Sequence, residues 1–164
     1  MSATDETFFR LDGKRGLCAD ATGAPSLAAP DLDDLLDALR EAEADASDYL
    51  RRIGQAWGKR MVERFARLLA ERTGSALPLA QAPVEPFLAL CHAYLSAHGF
   101  GQCVFVEGEP TLAVHIRDGA SKASPLLAGF FEALISGVTD TPVVCRTQAL
   151  EANHIVLEAF QAET

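Results

Sequence analysis

The spacing of apolar residues predicts helices in the first 100 residues of the chain. Asp31 can cap a helix whose leucines recur at intervals of three and four, at Leu32, Leu35, Leu36 and Leu39. The strongest helical pattern covers residues 49–72, where an apolar residue stands at every fourth position: Tyr49, Ile53, Trp57, Met61, Phe65 and Leu69. We expect this row to form a long buried stripe and Thr73-Gly74 to end the helix.

The pattern changes period after a further helix, which is predicted from about Glu85 to Gly99. Residues 102–107 and 111–117 read as two strands of a first hairpin, and residues 143–150 and 154–160 as a second hairpin. In the first strand Cys103 and Phe105 alternate with Val104 and Val106, so we expect it to be buried on both faces.

A helix between the two hairpins is predicted to be central, with Ser124 as its cap and Pro125 in its first turn. Its apolar residues cover most of its circumference: Leu126, Leu127, Phe130, Phe131, Leu134, Ile135 and Val138. The fold class is therefore α+β, with N-terminal helices, two β-hairpins forming an antiparallel sheet and one central buried helix, in the order α-α-β-β-α-β-β. Residues 1–30, rich in glycine and proline, are predicted to be a flexible leader, and residues 31–164 a single α+β domain.

Charge limits the classes of partner. The net charge of −9 argues against nucleic acid. Residues 1–48 hold twelve acidic against four basic residues, whereas residues 49–72 hold seven basic against two acidic ones.

No apolar run approaches the length of a membrane span, and the start of the chain does not resemble a signal peptide. We therefore expect a cytoplasmic protein, with the inner face of the inner membrane as an alternative place.

Catalytic chemistry has little support in the sequence. Cys91, His92, His98 and Cys103 include zinc-ligand types, but their spacing fits no standard zinc pattern. Two cysteine–histidine pairs could face each other across the hairpins, Cys103 with His115 and Cys145 with His154, but such neighbours arise often by chance and buried thiols are inert. We expect no metal, no cofactor and no catalytic residue, and interpret the chain as a binding or assembly protein rather than an enzyme.

Two glycines four residues apart mark the long helix as a packing surface. Gly54 and Gly58 flank Trp57, and because glycine weakens a helix interior, the pair indicates close approach of another backbone. Trp57 is read equally as core or as an interface anchor. The basic side chains of this helix form either a solvated face or an intersubunit face that meets the acidic segment 31–48. The candidate interface residues are Gly54, Trp57, Gly58, Arg51, Arg60 and Arg64.

Residues 32–160 resemble, in the same order of elements, the D family of cellulose synthase operon proteins. The run from Leu50 to Met61 is similar to that family's Leu-Arg-x-Ile/Val-Gly-x-x-x-Gly-x-Arg helix. Residues 99–106 and 112–116 resemble its Gly-Trp-Gly hairpin and following strand, and residues 127–134 its central helix. The resemblance implies a non-enzymatic accessory component of cellulose synthesis that assembles as an octamer built from dimers. Its implied partners are copies of itself, other components of the cellulose synthase complex and glucan chains.

A second family shares this order of elements, the vinyl-reductase-type small-molecule-binding domain. The helix Leu127-Ala-Gly-Phe-Phe-Glu-Ala-Leu134 and the strand at Pro142-Val-Val144 resemble that family. Residues 146–157 lack the two cysteines and the glycine of its C-terminal signature. This resemblance implies a sensor or carrier, a dimer with an enclosed apolar pocket between the central helix and the sheet. The lining residues would be Phe130, Phe131, Phe105 and Tyr94.

Overall fold

The computed structural model describes residues 9–12, 17–20, 25–26, 32–42, 44–74, 78–108, 111–118, 121–151 and 154–162. Within these residues the fold is α+β, as predicted. The helices are α1 (Leu32–Ala42), α2 (Ala46–Thr73), α3 (Val84–Ala97) and α4 (Ser124–Thr139). The strands are β1 (Phe9–Asp12), β2 (Leu17–Asp20), β3 (Pro25–Ser26), β4 (Gln102–Glu107), β5 (Leu112–Arg117), β6 (Val143–Glu151) and β7 (His154–Gln161). Short 3-10 turns at Leu79–Gln81 and Ser121–Ala123 precede α3 and α4.

The two predicted hairpins form one antiparallel sheet in the order β4-β5-β7-β6. Strands β5 and β7 join the hairpins, with Val114 opposite Leu157 and Ile116 opposite Ile155. These four side chains are fully buried, because alternate residues of a strand point to one face and this face lies against the helices.

On the other face of the sheet, the exposure of the β4 side chains differs from the prediction. Val104 and Val106 are 47% and 46% exposed, whereas Cys103 is buried. The prediction that this strand is buried on both faces is wrong: its Cys103 face packs against the helices, whereas its Val104 face is exposed, and β4 is an edge strand of the sheet. An apolar run does not by itself distinguish a two-sided strand from an edge strand.

Helix α4 lies between the sheet and α2, and it is largely buried, as predicted. Leu127, Phe131 and Leu134 are fully buried. Its N-cap residue is Ala123, one position before the predicted cap. The hydroxyl of Ser124 instead contacts that of Thr147 on β6, with an oxygen–oxygen distance of 2.7 Å.

Glycines let α2 and α4 meet at backbone contact. A Cβ atom on Gly54 would overlap the carbonyl oxygen of Leu126 and lie 2.9 Å from the amide nitrogen of Phe130. One on Gly58 would overlap the carbonyl oxygen of Phe130, and one on Gly129 that of Arg51. The predicted close approach of a second backbone is therefore present, and the second backbone is α4 of the same chain.

The predicted stripe on α2 is correct only in its C-terminal half. Met61, Phe65 and Leu69 are buried, but Tyr49 and Ile53 are 50% and 44% exposed. Every fourth residue advances about 40° around a helix, so the row leaves the core within a few turns. The buried line at the N-terminal end runs through Ala46, Leu50 and Gly54 instead.

The predicted leader contains short strands where no regular element was expected. Strands β1, β2 and β3 form a three-stranded antiparallel sheet, with Phe9 opposite Asp20 and Cys18 opposite Ser26. Two-residue and four-residue strands have no readable period, which is why the sequence did not indicate them. Flexibility of residues 1–30 stays a prediction, and most of the leader lies outside the described residues.

We predict that Gly129→Ala destabilises the chain by about 3 kcal/mol or more, since the new methyl group meets rigid backbone of α2. Gly137→Ala is the matched control in the same helix. Its Cβ would lie 2.6 Å from a methyl group of Val62, so it meets a side chain, which shifts more readily than backbone, and alanine is the better helix former. Urea unfolding should show a large loss for the first variant and a change within about 1 kcal/mol for the second. Equal stabilities would disprove the backbone contact.

Candidate functional site

A cluster of aromatic rings fills the space among α2, α3 and α4. The ring of Trp57 on α2 lies 4.3 Å from that of Phe130 on α4 and 5.2 Å from that of Phe100, centroid to centroid. Phe100 follows α3, in a turn where Gly99 and Gly101 both have positive φ. Tyr94 on α3 completes this group at 6.0 Å from Trp57. Ring pairs at these separations are mutually stabilising, and Trp57 is the member that is only partly buried.

Two polar side chains, those of His98 and Arg64, lie beside Tyr94 in this cluster. His98 is buried, and its ring lies 4.2 Å from that of Tyr94. The Nδ1 atom of His98 is 2.7 Å from the carbonyl oxygen of Tyr94. A carbonyl oxygen can only accept, so Nδ1 carries the hydrogen of this contact. The guanidinium of Arg64 lies 5.9 Å from the centroid of the Tyr94 ring.

The four rings predicted to line a ligand pocket do contact one another, in a row that passes through α4. Phe105 on β4 packs edge-on against Phe131, and Phe131 edge-on against Phe130. Phe130 and Tyr94 are nearly parallel, with centroids 6.4 Å apart. Because Phe130 and Phe131 are adjacent on a helix, they point to different sides: Phe131 faces the sheet and Phe130 faces α2 and α3. Sequence reasoning missed His98 and Phe100 as members, although the Gly-Phe-Gly sequence marks a turn beside the helix end.

A second cluster surrounds Glu132, the only charged residue of α4. Arg51 on α2 binds this carboxylate with two nitrogens, Nε at 3.2 Å from Oε2 and Nη2 at Oε1. Gln55 donates to Oε2 at 2.8 Å, and the amide of Cys145 on β6 donates to Oε1 at 2.9 Å. Arg51 also donates to the carbonyl oxygen of Cys145 at 2.8 Å. Sequence reasoning missed Glu132, although a single charge within an apolar helix is a sequence signal for such a buried partner.

Electrostatics identify Glu132 as an ionised structural acceptor. Burial raises its pKa, but the hydrogen bonds from Arg51, the Cys145 amide and Gln55 together lower it, and the net pKa lies below the ordinary value. The hydrogen bond to Glu132 likewise raises the pKa of Arg51. With four hydrogen bonds to its two oxygens, this carboxylate is poorly suited to accept or release protons.

An open groove of about 560 Å³ lies on the other side of the contact between α2 and α4. It is lined by Gln55, Lys59, Val62, Glu63, Glu132, Ala133, Ser136, Gly137 and Val143. None of the four predicted pocket rings lines this groove. It is therefore not the apolar pocket between the central helix and the sheet that the sequence led us to expect.

The predicted cysteine–histidine pairs are not formed. Cys103 lies opposite Ile116 and Cys145 opposite Ala159, so both thiols point to the buried face while His115 and His154 share the other face. Burial raises the pKa of Cys103 and of Cys145 to about 12 and that of Cys91 well above its usual value. These thiols are protonated at neutral pH and unreactive.

The candidate metal ligands near residue 100 do not converge on one point. His92 uses Nδ1 for a contact of 3.1 Å with the carbonyl oxygen of Cys103, and His98 points into the ring cluster. Across the described ranges, no three histidine, cysteine or acidic side chains are grouped to hold a metal ion.

The six candidate interface residues have different surroundings. Gly54 and Gly58 contact α4, Arg51 binds Glu132, and Trp57 packs in the ring cluster, so these four positions serve contacts within the chain. Arg64 is half-buried beside Tyr94, and Arg60 is exposed. Their contacts with another copy stay a prediction.

Comparisons with known proteins show the fold. No protein family model and no curated protein sequence matches the chain. Among solved structures it is similar to the phenol-responsive sensory domain of the transcription activator PoxR, determined with phenol. The TM-score is 0.67, the identity 11%, and the match covers 97% of this chain and 91% of that chain. Among the helices of the described residues, none is long and apolar enough to cross a membrane.

We predict that Glu132→Gln lowers the free energy of unfolding at neutral pH by about 1.5–3 kcal/mol, because charge-assisted hydrogen bonds are lost and Arg51 loses its partner. The pKa of Glu132 is lower in the folded chain, so its contribution is present at neutral pH and is lost as the pH falls below about 4.5. Urea unfolding at several pH values should show the two proteins converging in acid. Glu63→Gln, on the exposed side of α2, is the control for removal of one charge. A difference between wild type and Glu132→Gln that persists unchanged in acid would contradict this account.

Proposed function

We propose that this chain is a non-enzymatic small-molecule-binding domain of the sensory or carrier kind. Its ligand is a small monocyclic aromatic compound, held among the rings of Trp57, Tyr94, Phe100 and Phe130. The observation that carries the proposal is this ring cluster, which lies among three helices and has one partly exposed member.

The chemistry of the cluster suits an aromatic ligand. The Trp57 ring contacts the rings of Tyr94, Phe100 and Phe130, which come from α3, the turn after it and α4. An aromatic ligand that took the place of the indole would meet the same three rings. The buried polar ring of His98 lies 4.2 Å from the ring of Tyr94. Ligand sites of this kind combine mostly apolar walls with a few polar groups that fix orientation.

Access to the cluster runs through Trp57. Its indole is the partly buried member, whereas Tyr94, Phe100 and Phe130 are buried. Rotation of this one side chain to another rotamer would uncover the face of Phe130 without any change in the backbone. A ligand that binds the open arrangement better than the closed one would shift the population toward it.

The shared fold is consistent with this role. The PoxR sensory domain, which is described as phenol-responsive, has the same fold over nearly the whole length of both chains. Phenol is a monocyclic aromatic compound of the size that the ring cluster would accept. We use phenol as the first probe for this reason.

We predict saturable binding of phenol, reported by the fluorescence of Trp57, the only tryptophan of the chain. Phe130→Leu should weaken this binding about two- to tenfold, since the lost ring contacts are worth about 0.5–1.5 kcal/mol. Phe160→Leu is the matched control, because Phe160 lies on β7 beside Arg146 and far from the cluster in the register of the sheet. Titration with phenol and other monocyclic aromatics, together with native mass spectrometry of the isolated protein, tests the proposal. No saturable signal with any of them and no retained molecule would rule it out.

A second candidate function is self-assembly as an accessory component of cellulose synthesis, and exposed side chains on α2 favour it. Tyr49 and Ile53 lie one turn apart and are 50% and 44% exposed. The guanidinium of Arg52 lies 5.8 Å from the centroid of the Tyr49 ring, and Arg60 is exposed further along the helix. Apolar and aromatic groups beside arginine are typical of protein interfaces.

For this second candidate we predict that the purified chain forms an oligomer and that Ile53→Ser shifts it toward smaller species. Light scattering at micromolar concentration measures the mass of both proteins. Val84→Ser is the control, since Val84 is a comparably exposed apolar residue on α3. A wild-type monomer would count against assembly and leave the ligand-binding proposal untouched.

A further inference from the structure

Two histidines meet on the face of the sheet that lies opposite α4. His115 on β5 is paired with Val156, and His154 on β7 with Arg117, so the two histidines are diagonal neighbours on adjacent strands. Their rings lie 5.2 Å apart, and Nδ1 of His115 is 3.1 Å from Nε2 of His154. Both side chains are half-buried, and Val104 and Val106 on the same face are exposed.

We propose that His115 and His154 together bind a divalent transition-metal ion, of the class of Zn²⁺ and Cu²⁺, with water completing the coordination. The proposal does not depend on the ligand of the ring cluster, which lies on the other side of the sheet.

The separation of the two nitrogens fits a shared ion. Imidazole nitrogens bind such metals at about 2.0–2.1 Å, so two of them on one ion are about 2.9 Å apart at a right angle and about 3.3 Å apart at the tetrahedral angle. The observed 3.1 Å lies between these values. Placing an ion between the rings therefore requires rotation of the side chains and no movement of the strands.

Protonation is compatible with binding. In the contact between the two rings one nitrogen donates and the other accepts, so a single hydrogen lies between them. In the metal-bound state that hydrogen moves to the outer nitrogen of the same ring, and both inner lone pairs face the ion. The neutral imidazole is the form that binds metal.

Arg117 is the main opposing charge. It lies two residues from His115 on β5 and opposite His154 in the register, and its positive charge disfavours a cation beside it. Removing this charge should therefore strengthen binding at the site.

The experiment is calorimetric titration of the untagged protein at pH 7.5 with Zn²⁺ and, separately, with Cu²⁺. We expect one ion per chain, reversed by a chelator, with tighter binding of Cu²⁺ as the usual order of divalent metals requires. His115→Gln and His154→Gln should each weaken binding by at least about tenfold, because each removes one of two protein ligands. Arg117→Gln should strengthen it.

Control variants address the other soft ligands of the chain. His92→Gln and Cys18→Ser should leave binding unchanged, and circular dichroism checks that each variant is folded. Absence of binding in the wild-type protein overturns the proposal. It is equally overturned when both His→Gln variants bind as the wild type does, or when Cys18→Ser abolishes binding.

Discussion

The backbone contact between α2 and α4 is the constraint on which the rest of the structure depends. At Gly54, Gly58 and Gly129 no side chain separates the two helices, so carbonyl groups of one lie where Cβ atoms of the other would be. Such proximity decides which side chains can reach each other at the edges of the contact. On one edge Trp57 reaches Phe130, and on the other Arg51 and Gln55 reach Glu132. Helices held at the usual 8–10 Å separation would keep both groups farther apart.

The ionised Glu132 ties this helix pair to the sheet. Its carboxylate accepts from α2 through Arg51 and Gln55 and from β6 through the Cys145 amide, so three elements share one acceptor. A buried carboxylate is tolerated only when such hydrogen bonds offset its loss of hydration. Because these hydrogen bonds favour the ionised form, the carboxylate stabilises the fold and is poorly suited to exchange protons. Burial likewise raises the pKa of the Cys103 and Cys145 thiols to about 12, so these groups are protonated at neutral pH.

The surfaces that carry the proposals belong to different faces of the molecule. The ring cluster lies among three helices, the exposed Tyr49 and Ile53 are on the outer side of α2, and the histidine pair is on the open face of the sheet. Ligand binding, self-assembly and metal binding would therefore not compete for the same side chains. A ligand that displaces Trp57 would act next to α2, which gives a physical route from the ring cluster to an assembly surface on the same helix.

The sequence by itself determined the elements from residue 32 onward, but not strands β1 to β3, and it determined the packing role of the glycines. The spacing of apolar residues and the positions of glycine and proline place the helices and both hairpins within a few residues. The reason is that the burial of one face of an element requires a regular spacing of its apolar residues. The glycine pair indicated a close backbone, since only such a contact offsets its cost in a helix. Tertiary structure alone decided which backbone the glycines approach. It also decided that β4 is an edge strand with Val104 and Val106 exposed, and that the apolar row at Tyr49 and Ile53 leaves the core. It also decided that His115 faces His154 rather than Cys103. These outcomes depend on register and on which elements meet, and both are set by the energy of the whole packed chain rather than by any one segment.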